Sequence, residues 1–259
     1  MIGNGFNILV VCLLGCCLGS FLNVCIYRVP RGLSIVFPGS FCPVCQAPIR
    51  AYDNIPLLSY LLLRGKCRNC HGEIFWRYPF VEALTGTFAL SLYVQFGFTL
   101  LFISFLTFAA AMIVITFIDL DHRIIPDVIS LPGIGIGLLL SFFLPSISVK
   151  DSLIGIIAGG GTLYGVAFVY ETLTKREGMG GGDVKLLAMI GAWLGWKAIL
   201  FTLFFASLSG TFIGGGAMLL QKQGRHYAIP FGPFLAFSAL AYIFFGPQLI
   251  DWYLDWGRP

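Results

Sequence analysis

Charge is what this sequence has least of. Only 11% of its 259 residues are Asp, Glu, Lys or Arg, against roughly 25% in an average soluble domain. That scarcity excludes an ordinary water-soluble enzyme. Basic residues are missing before Arg28, so the first apolar run lacks the charged n-region of a secretory signal and is expected to remain as a membrane span. A G-x-G-x-x-G turn following a strand is also missing, and no stretch of polar sequence is long enough for a Rossmann domain.

What is present instead is apolar sequence, 58% of the chain. A helix needs roughly 20 residues to cross a bilayer, and runs approaching or exceeding that length recur: Phe6–Tyr27, Phe80–Gln95, Leu100–Ile118, Val128–Leu144, Leu153–Tyr170, Val184–Trp196, Ala198–Leu220 and Ile229–Ile250. Pro126, Pro145 and the glycines before Asp183 punctuate them. The expected fold is an all-α polytopic membrane protein of about eight transmembrane helices, with a small cytoplasmic metal-binding insert between the first two. Its parts are residues 1–27 as first helix, 28–79 as insert and 80–259 as the main bundle.

The basic residues orient these spans, because positive charge gathers on the cytoplasmic side. If the insert is cytoplasmic, then Arg28, Arg31, Arg50, Arg64, Lys66, Arg68, Arg77, Arg123, Lys175, Arg176, Lys185, Lys222 and Arg225 all fall inside. Only Lys150, Lys197 and Arg258 fall outside. The net charge of +4 therefore reports orientation, and no nucleic-acid partner is expected.

The insert contains two C-x2-C pairs, Cys42 and Cys45, then Cys67 and Cys70. Four thiolates at this spacing close a tetrahedral zinc site that can stabilise a segment too small for its own core. Disulfides are the alternative, disfavoured in the reducing cytoplasm. With all four positions filled by sulfur, such a metal is structural. His71 is a possible replacement ligand or a surface residue. Cys12, Cys16, Cys17 and Cys25 lie in the first span, where packing accounts for them.

Acidic residues near spans are costly and point to function. "FIDLDHRIIPD" holds Asp119, Asp121 and Asp127. Asp119 is deepest, while Asp121, two residues on, points to another side of a continuing helix. Asp121 reads as a solvated boundary residue and Asp127 as the N-cap of the next span. Asp183 opens the sixth span after Gly178, Gly180, Gly181 and Gly182, glycines that permit positive φ and close approach. Alone it reads as a helix cap. Together with Asp119, at the same membrane face, it reads as half of an aspartate dyad, in which one carboxylate activates water and the other, protonated, polarises a scissile carbonyl. Lys185 either biases that pair or anchors the span to headgroups.

Five motifs in order, "GSFLNVCIYRVP", the paired cysteine knuckles, "RYPFVEALTG", "DLDHRIIPD" and "GMGGGDVKLLA", resemble the type IV prepilin peptidase family. This is the bifunctional leader peptidase and N-methyltransferase family of bacterial pilus, type II secretion and competence systems. The resemblance implies catalytic aspartates at Asp119 and Asp183, supported by loop glycines Gly180 and Gly182, and structural Zn2+ on Cys42, Cys45, Cys67 and Cys70. It implies a prepilin or pseudopilin substrate whose basic leader is cut at the cytoplasmic face of the inner membrane. It also implies methylation of the new N-terminus, usually Phe, from S-adenosylmethionine.

The residues that bind the methyl donor are not implied. Asn23, Arg28 and Glu82 are the polar groups available, Glu82 being equally readable as a helix-start charge. Gly155, Gly159 to Gly161, Gly210 and Gly214 to Gly216 read as close helix contacts. The competing readings are a proton-coupled transporter using Asp119 and Asp183, a scaffold built around a zinc module, and a peptidase without methyl transfer.

Overall fold

A computed structural model describes residues 5–175, 180–221 and 230–256. Arg176, Gly178, Lys222, Arg225 and Arg258, used above for loop and orientation, lie outside them. The described residues form helices α1 (Gly5–Arg28), α2 (Leu58–Leu62), α3 (Arg77–Phe96), α4 (Leu100–His122), α5 (Asp127–Leu140), α6 (Val149–Thr174), α7 (Gly181–Leu194), α8 (Trp196–Gln221) and α9 (Gly232–Trp256), with short 3-10 turns near Val29–Arg31 and Ala51–Asp53. Among the described residues there is no strand, only two isolated β-bridges.

Eight long helices thus fall on the eight apolar runs. Five of them are long and apolar enough to cross a membrane by length and composition: Gly5–Arg31, Leu100–His122, Val149–Thr174, Trp196–Gly216 and Gly232–Tyr253. Large apolar side chains such as Ile157, Phe204 and Phe212 remain exposed on these helices, the arrangement that lipid requires and water penalises. The chain is a multi-pass membrane protein.

Helix ends follow local chemistry. Ser148 caps α6 by accepting the Asp151 N–H at 3.1 Å, satisfying one of the orphan donors of the first turn. Gly195, at φ +81, ends α7. After α4 the chain turns at Arg123, whose N–H reaches the Asp119 carbonyl at 2.8 Å, and Pro126 then takes the N-cap of α5. Asp127 is therefore the first helical residue rather than the cap expected from the sequence. Pro126 is extended, at φ −67 and ψ 124, and its carbonyl accepts the Ser130 N–H at 3.1 Å.

The chain packs as two compact units, one up to Val114 and one from Ile115, the boundary falling within α4. In the first unit α1 lies along α3. A Cβ on Gly15 would stand 2.7 Å from that of Ala89, one on Gly19 2.7 Å from the Glu82 Cα, and one on Gly86 2.7 Å from the Cys16 sulfur. Cys16 and Cys25 are buried packing residues. The α3–α4 corner is filled by Tyr93, Phe98 and Phe102.

In the second unit α7 is the central helix, buried from Leu186 to Trp193 and packed by α5, α6, α8 and α9. Gly155 of α6 and Gly191 of α7 meet backbone to backbone, and a Cβ on either would strike the other's carbonyl oxygen. Gly159 approaches the Leu187 carbonyl in the same way. The expectation of close helix contacts holds for these positions and is weaker at Gly210, where Phe234 is 3.7 Å from an added Cβ, while Gly161, Gly215 and Gly216 have open space. Polar links across the unit run from Ser152 Oγ to the Ala192 carbonyl, 2.8 Å, and from the Trp193 indole N–H to the Gly133 carbonyl, 2.7 Å.

Candidate active site and metal centre

Asp119 ends the apolar stretch of α4 and is buried, 5% exposed. Asp121 is exposed, as a separation of two residues on a continuing helix requires. The Asp119 Oδ2 accepts the backbone N–H of Gly232 at 3.1 Å, so the first residue of α9 turns its amide toward this carboxylate. A Cβ on Gly232 would stand 2.6 Å from the same oxygen, so a side chain there would displace the Asp119 carboxylate.

Asp183 lies in the first turn of α7, half-buried, where a carboxylate complements the helix N-terminus. Asp119 stands near the end of α4 and Asp183 in the first turn of α7, both in the second unit. Ile125 explains how the helix ends are held: its Cβ would be 3.0 Å from a Cβ on Gly182, and its Cδ1 3.3 Å from one on Gly232. The turn after α4 and the starts of α7 and α9 therefore converge on one isoleucine.

The glycines act differently from the expectation. Gly180 is extended, at φ −70 and ψ 138, and caps α7. Gly181 and Gly182 are helical, so no positive φ is used among these three. Gly182 supplies close approach to Ile125, and Gly181 leaves open space where a side chain would project.

Lys185, read above as biasing the pair or anchoring the span, has a partner the sequence did not suggest. Its ammonium pairs with Asp127 at 2.7 and 2.8 Å, linking the first turns of α5 and α7. The Gly232 amide, Ile125 and this ion pair were all missed in the sequence. Gly232-Pro233 opening an apolar run was the available signal, since proline suits a first helical turn.

In the first unit, Cys42, Cys45, Cys67 and Cys70 place their sulfurs within 4.8 Å of one another, with Cys42 and Cys70 at 3.9 Å. Tetrahedral ligands at a metal–sulfur distance of ~2.3 Å stand about 3.8 Å apart, so the four sulfurs fit a metal ion. All are free thiols.

The knuckles are built alike. In one, Gln46 N–H reaches the Cys42 carbonyl (2.8 Å) and Cys42 N–H the Ala47 carbonyl (2.9 Å); in the other, His71 N–H reaches Cys67 (3.0 Å) and Cys67 N–H reaches Gly72 (2.8 Å). Gln46 and His71 both take positive φ, so His71 serves the turn and the ligand cluster consists of the cysteines. Asn69 Nδ2 donates to Cys45 sulfur at 3.6 Å and is the main cause of a Cys45 thiol pulled down to about 6, toward the thiolate that binds metal. Arg68 grips Asp53 at 2.6 to 3.0 Å and holds its carboxyl below the usual range.

Asn23, Arg28 and Glu82 are all buried in the first unit. Glu82 Oε2 accepts the Leu57 N–H at 2.8 Å, Asn23 donates to the Tyr78 carbonyl at 3.0 Å, and Arg28 donates to the Ser34 and Gly39 carbonyls at 2.9 and 3.1 Å.

Comparison with known proteins adds lineage to this geometry. The bacterial peptidase A24 N-terminal domain matches residues 13–96, and the type IV leader peptidase family matches residues 106–215. The prepilin leader peptidase/N-methyltransferase of Aeromonas hydrophila is 39% identical, covering 92% of this chain and 90% of that protein. The proteins of the same name from Stutzerimonas stutzeri (35%, covering 97% and 95%) and Neisseria gonorrhoeae (38%, covering 90% and 88%) are also similar. No solved structure matches.

Proposed function

The chain belongs to the type IV leader peptidase family, and from that premise we propose that it removes the leader from a type IV prepilin or type II pseudopilin and then N-methylates the new N-terminus. The observation that carries the peptidase half is the pair Asp119 and Asp183, on different helices with their ends held around Ile125. One carboxylate takes a proton from water as that water attacks the scissile carbonyl. The other, protonated, donates a hydrogen bond to the carbonyl oxygen. The tetrahedral intermediate then collapses with a proton delivered to the leaving amine, yielding leader and mature pilin.

Asp119 is the favoured base, because the Gly232 amide supports its ionised form. Gly180 and Gly182 support Asp183, the latter through Ile125. The cysteine cluster holds structural Zn2+, whose four sulfur ligands leave no position for catalysis. S-adenosylmethionine supplies an electrophilic methyl group to the new terminal amine. The basic loops face the cytoplasm, so cleavage occurs at that face of the bacterial inner membrane. A proton-coupled transporter is disfavoured, since such proteins place their acids near the midplane and both aspartates here lie at helix ends.

The test is incubation of detergent-purified protein with a prepilin and S-adenosylmethionine, weighing the products. Asp119→Asn and Asp183→Asn should each slow cleavage by at least about a hundredfold, the lower range for a general acid or base, while Asp121→Asn retains cleavage. Full processing by either of the first two variants would remove the dyad.

A further inference from the structure

A polar cavity of the first unit has a volume of about 490 Å³, within the roughly 300 to 1,000 Å³ typical of small-ligand sites. Helix α1, the insert and the start of α3 enclose it. Arg28, Asn23 and Glu82 line it together with the rings of Tyr27, Phe41 and Tyr78.

Its two buried charges, Glu82 and Arg28, meet uncharged partners, whereas Asp53 and Arg68 at its rim pair with each other. Glu82, 8% exposed, accepts the uncharged Leu57 amide at 2.8 Å. Arg28, 5% exposed, is held by two backbone carbonyls, also uncharged, and lies 5.8 Å from the Phe41 ring centroid. Burying one anion and one cation costs free energy unless each meets an opposite charge. Leu57 adds a second sign of construction: this non-glycine residue is kept at φ +59, a strained conformation for a branched side chain, while its amide serves Glu82.

A ligand suited to this cavity carries a positive group for Glu82, a carboxylate for Arg28 and a flat heterocycle for the aromatic wall. The chemistry of S-adenosylmethionine matches all three, with its sulfonium and ammonium, its carboxylate and its adenine. We propose that this cavity binds S-adenosylmethionine, Glu82 facing the cationic groups and Arg28 the carboxylate. The proposal rests on the methyl-transfer half of the function proposed above and assigns it to residues of the first unit, separate from the aspartates.

One consequence is specific. Transfer of the methyl group turns the sulfonium into a neutral thioether, so a carboxylate near the sulfur attracts donor more than product.

Two measurements on the full chain in detergent test the proposal. Ultraviolet cross-linking of tritiated S-adenosylmethionine to the unsubstituted protein, followed by peptide mapping, should place label within residues 20–82. Label confined to residues 115–256, or no specific label, overturns the proposal. Equilibrium dialysis should then show Glu82→Gln weakening S-adenosylmethionine about tenfold, the scale of one charge-assisted contact, and S-adenosylhomocysteine distinctly less. Equal weakening, or none, overturns the role of Glu82. Should Glu82→Gln fold poorly, the cross-link decides.

Leader cleavage, followed separately, distinguishes the two levels. Cleavage and methylation with label outside the cavity sink the location alone. Cleavage without donor binding or methylation sinks the methyl-transfer function as well.

Discussion

The cysteine insert and the α6–α7 pair reach a fixed structure by opposite means. In the insert, between α1 and α3, the longest regular element is the five-residue α2. Gln46, Leu57, Arg64 and His71 there take positive φ without being glycine, and Val36, Phe37, Leu61 and Leu62 stay exposed. A segment with so little burial gains little from the hydrophobic effect, so its two knuckles have to be tied by a cross-link. Between α6 and α7 there is no cross-link. Backbones meet at Gly155–Gly191 and Gly159–Leu187, and dispersion over a close contact does in the membrane what water does elsewhere. One region therefore offers a ligand cluster that could hold a metal, and the other relies on missing side chains.

The strongest way to break this contrast is to add one methyl group. Gly191→Ala would drive a Cβ into the Gly155 carbonyl, backbone that cannot rotate away. It should separate α6 from α7, cost more than the ~1–3 kcal/mol of ordinary overpacking, and abolish cleavage with Asp183 displaced. Gly161→Ala, on the same α6 but facing open space, should leave thermal stability and cleavage close to unchanged. Equal effects from the two substitutions would mean that α6 and α7 do not meet at Gly155.

A milder disturbance reverses the pattern. Cys42→Ser, or removal of metal with a strong chelator, should lower bound zinc and speed hydrogen exchange throughout residues 40–73. The amides of α7 should keep their protection. Unchanged zinc by elemental analysis would reject the cluster as a metal site, and loosening of α7 to the same degree as the insert would erase the distinction between the regions.

These regions also differ in how far they could be read from sequence. The four-cysteine cluster was legible because it comes as two short local pairs with the spacing that tetrahedral sites use. The eight long helices were legible because apolar length is a local property, and the loss of Asp127 as a cap is a one-residue matter of proline's fixed geometry. Helical periodicity put Asp119 and Asp121 on different sides, and the choice of Asp119 rested on its depth and on the family resemblance. What escaped were contacts made across the chain: Gly232 to Asp119 is 113 residues apart, and Lys185 to Asp127 is 58. Residue type alone does not encode which helix start faces which. Of the two properties expected of the glycines before Asp183, close approach occurs at Gly182 and positive φ at none of Gly180, Gly181 and Gly182, since a run of glycine looks like a flexible loop whether or not its last members have joined the helix.

The Asp127–Lys185 pair sharpens the comparison at its smallest scale, because it is an exposed polar tie between α5 and α7, next to helices joined by close packing and by the buried Ser152–Ala192 and Trp193–Gly133 hydrogen bonds. Both side chains are substantially exposed, at 38% for Lys185 and 54% for Asp127, where solvent and salt screen the attraction and such pairs contribute under about 1 kcal/mol. Lys185→Met should therefore shift the melting temperature little and leave most of the cleavage rate, and the small change should shrink further at high salt. Asp127→Asn should behave alike, since either variant removes the same contact. A loss approaching that of Asp183→Asn, seen for Lys185→Met but not for Asp127→Asn, would show that the ammonium acts on the aspartate pair itself; a shared large loss would show that joining the first turns of α5 and α7 positions Asp183.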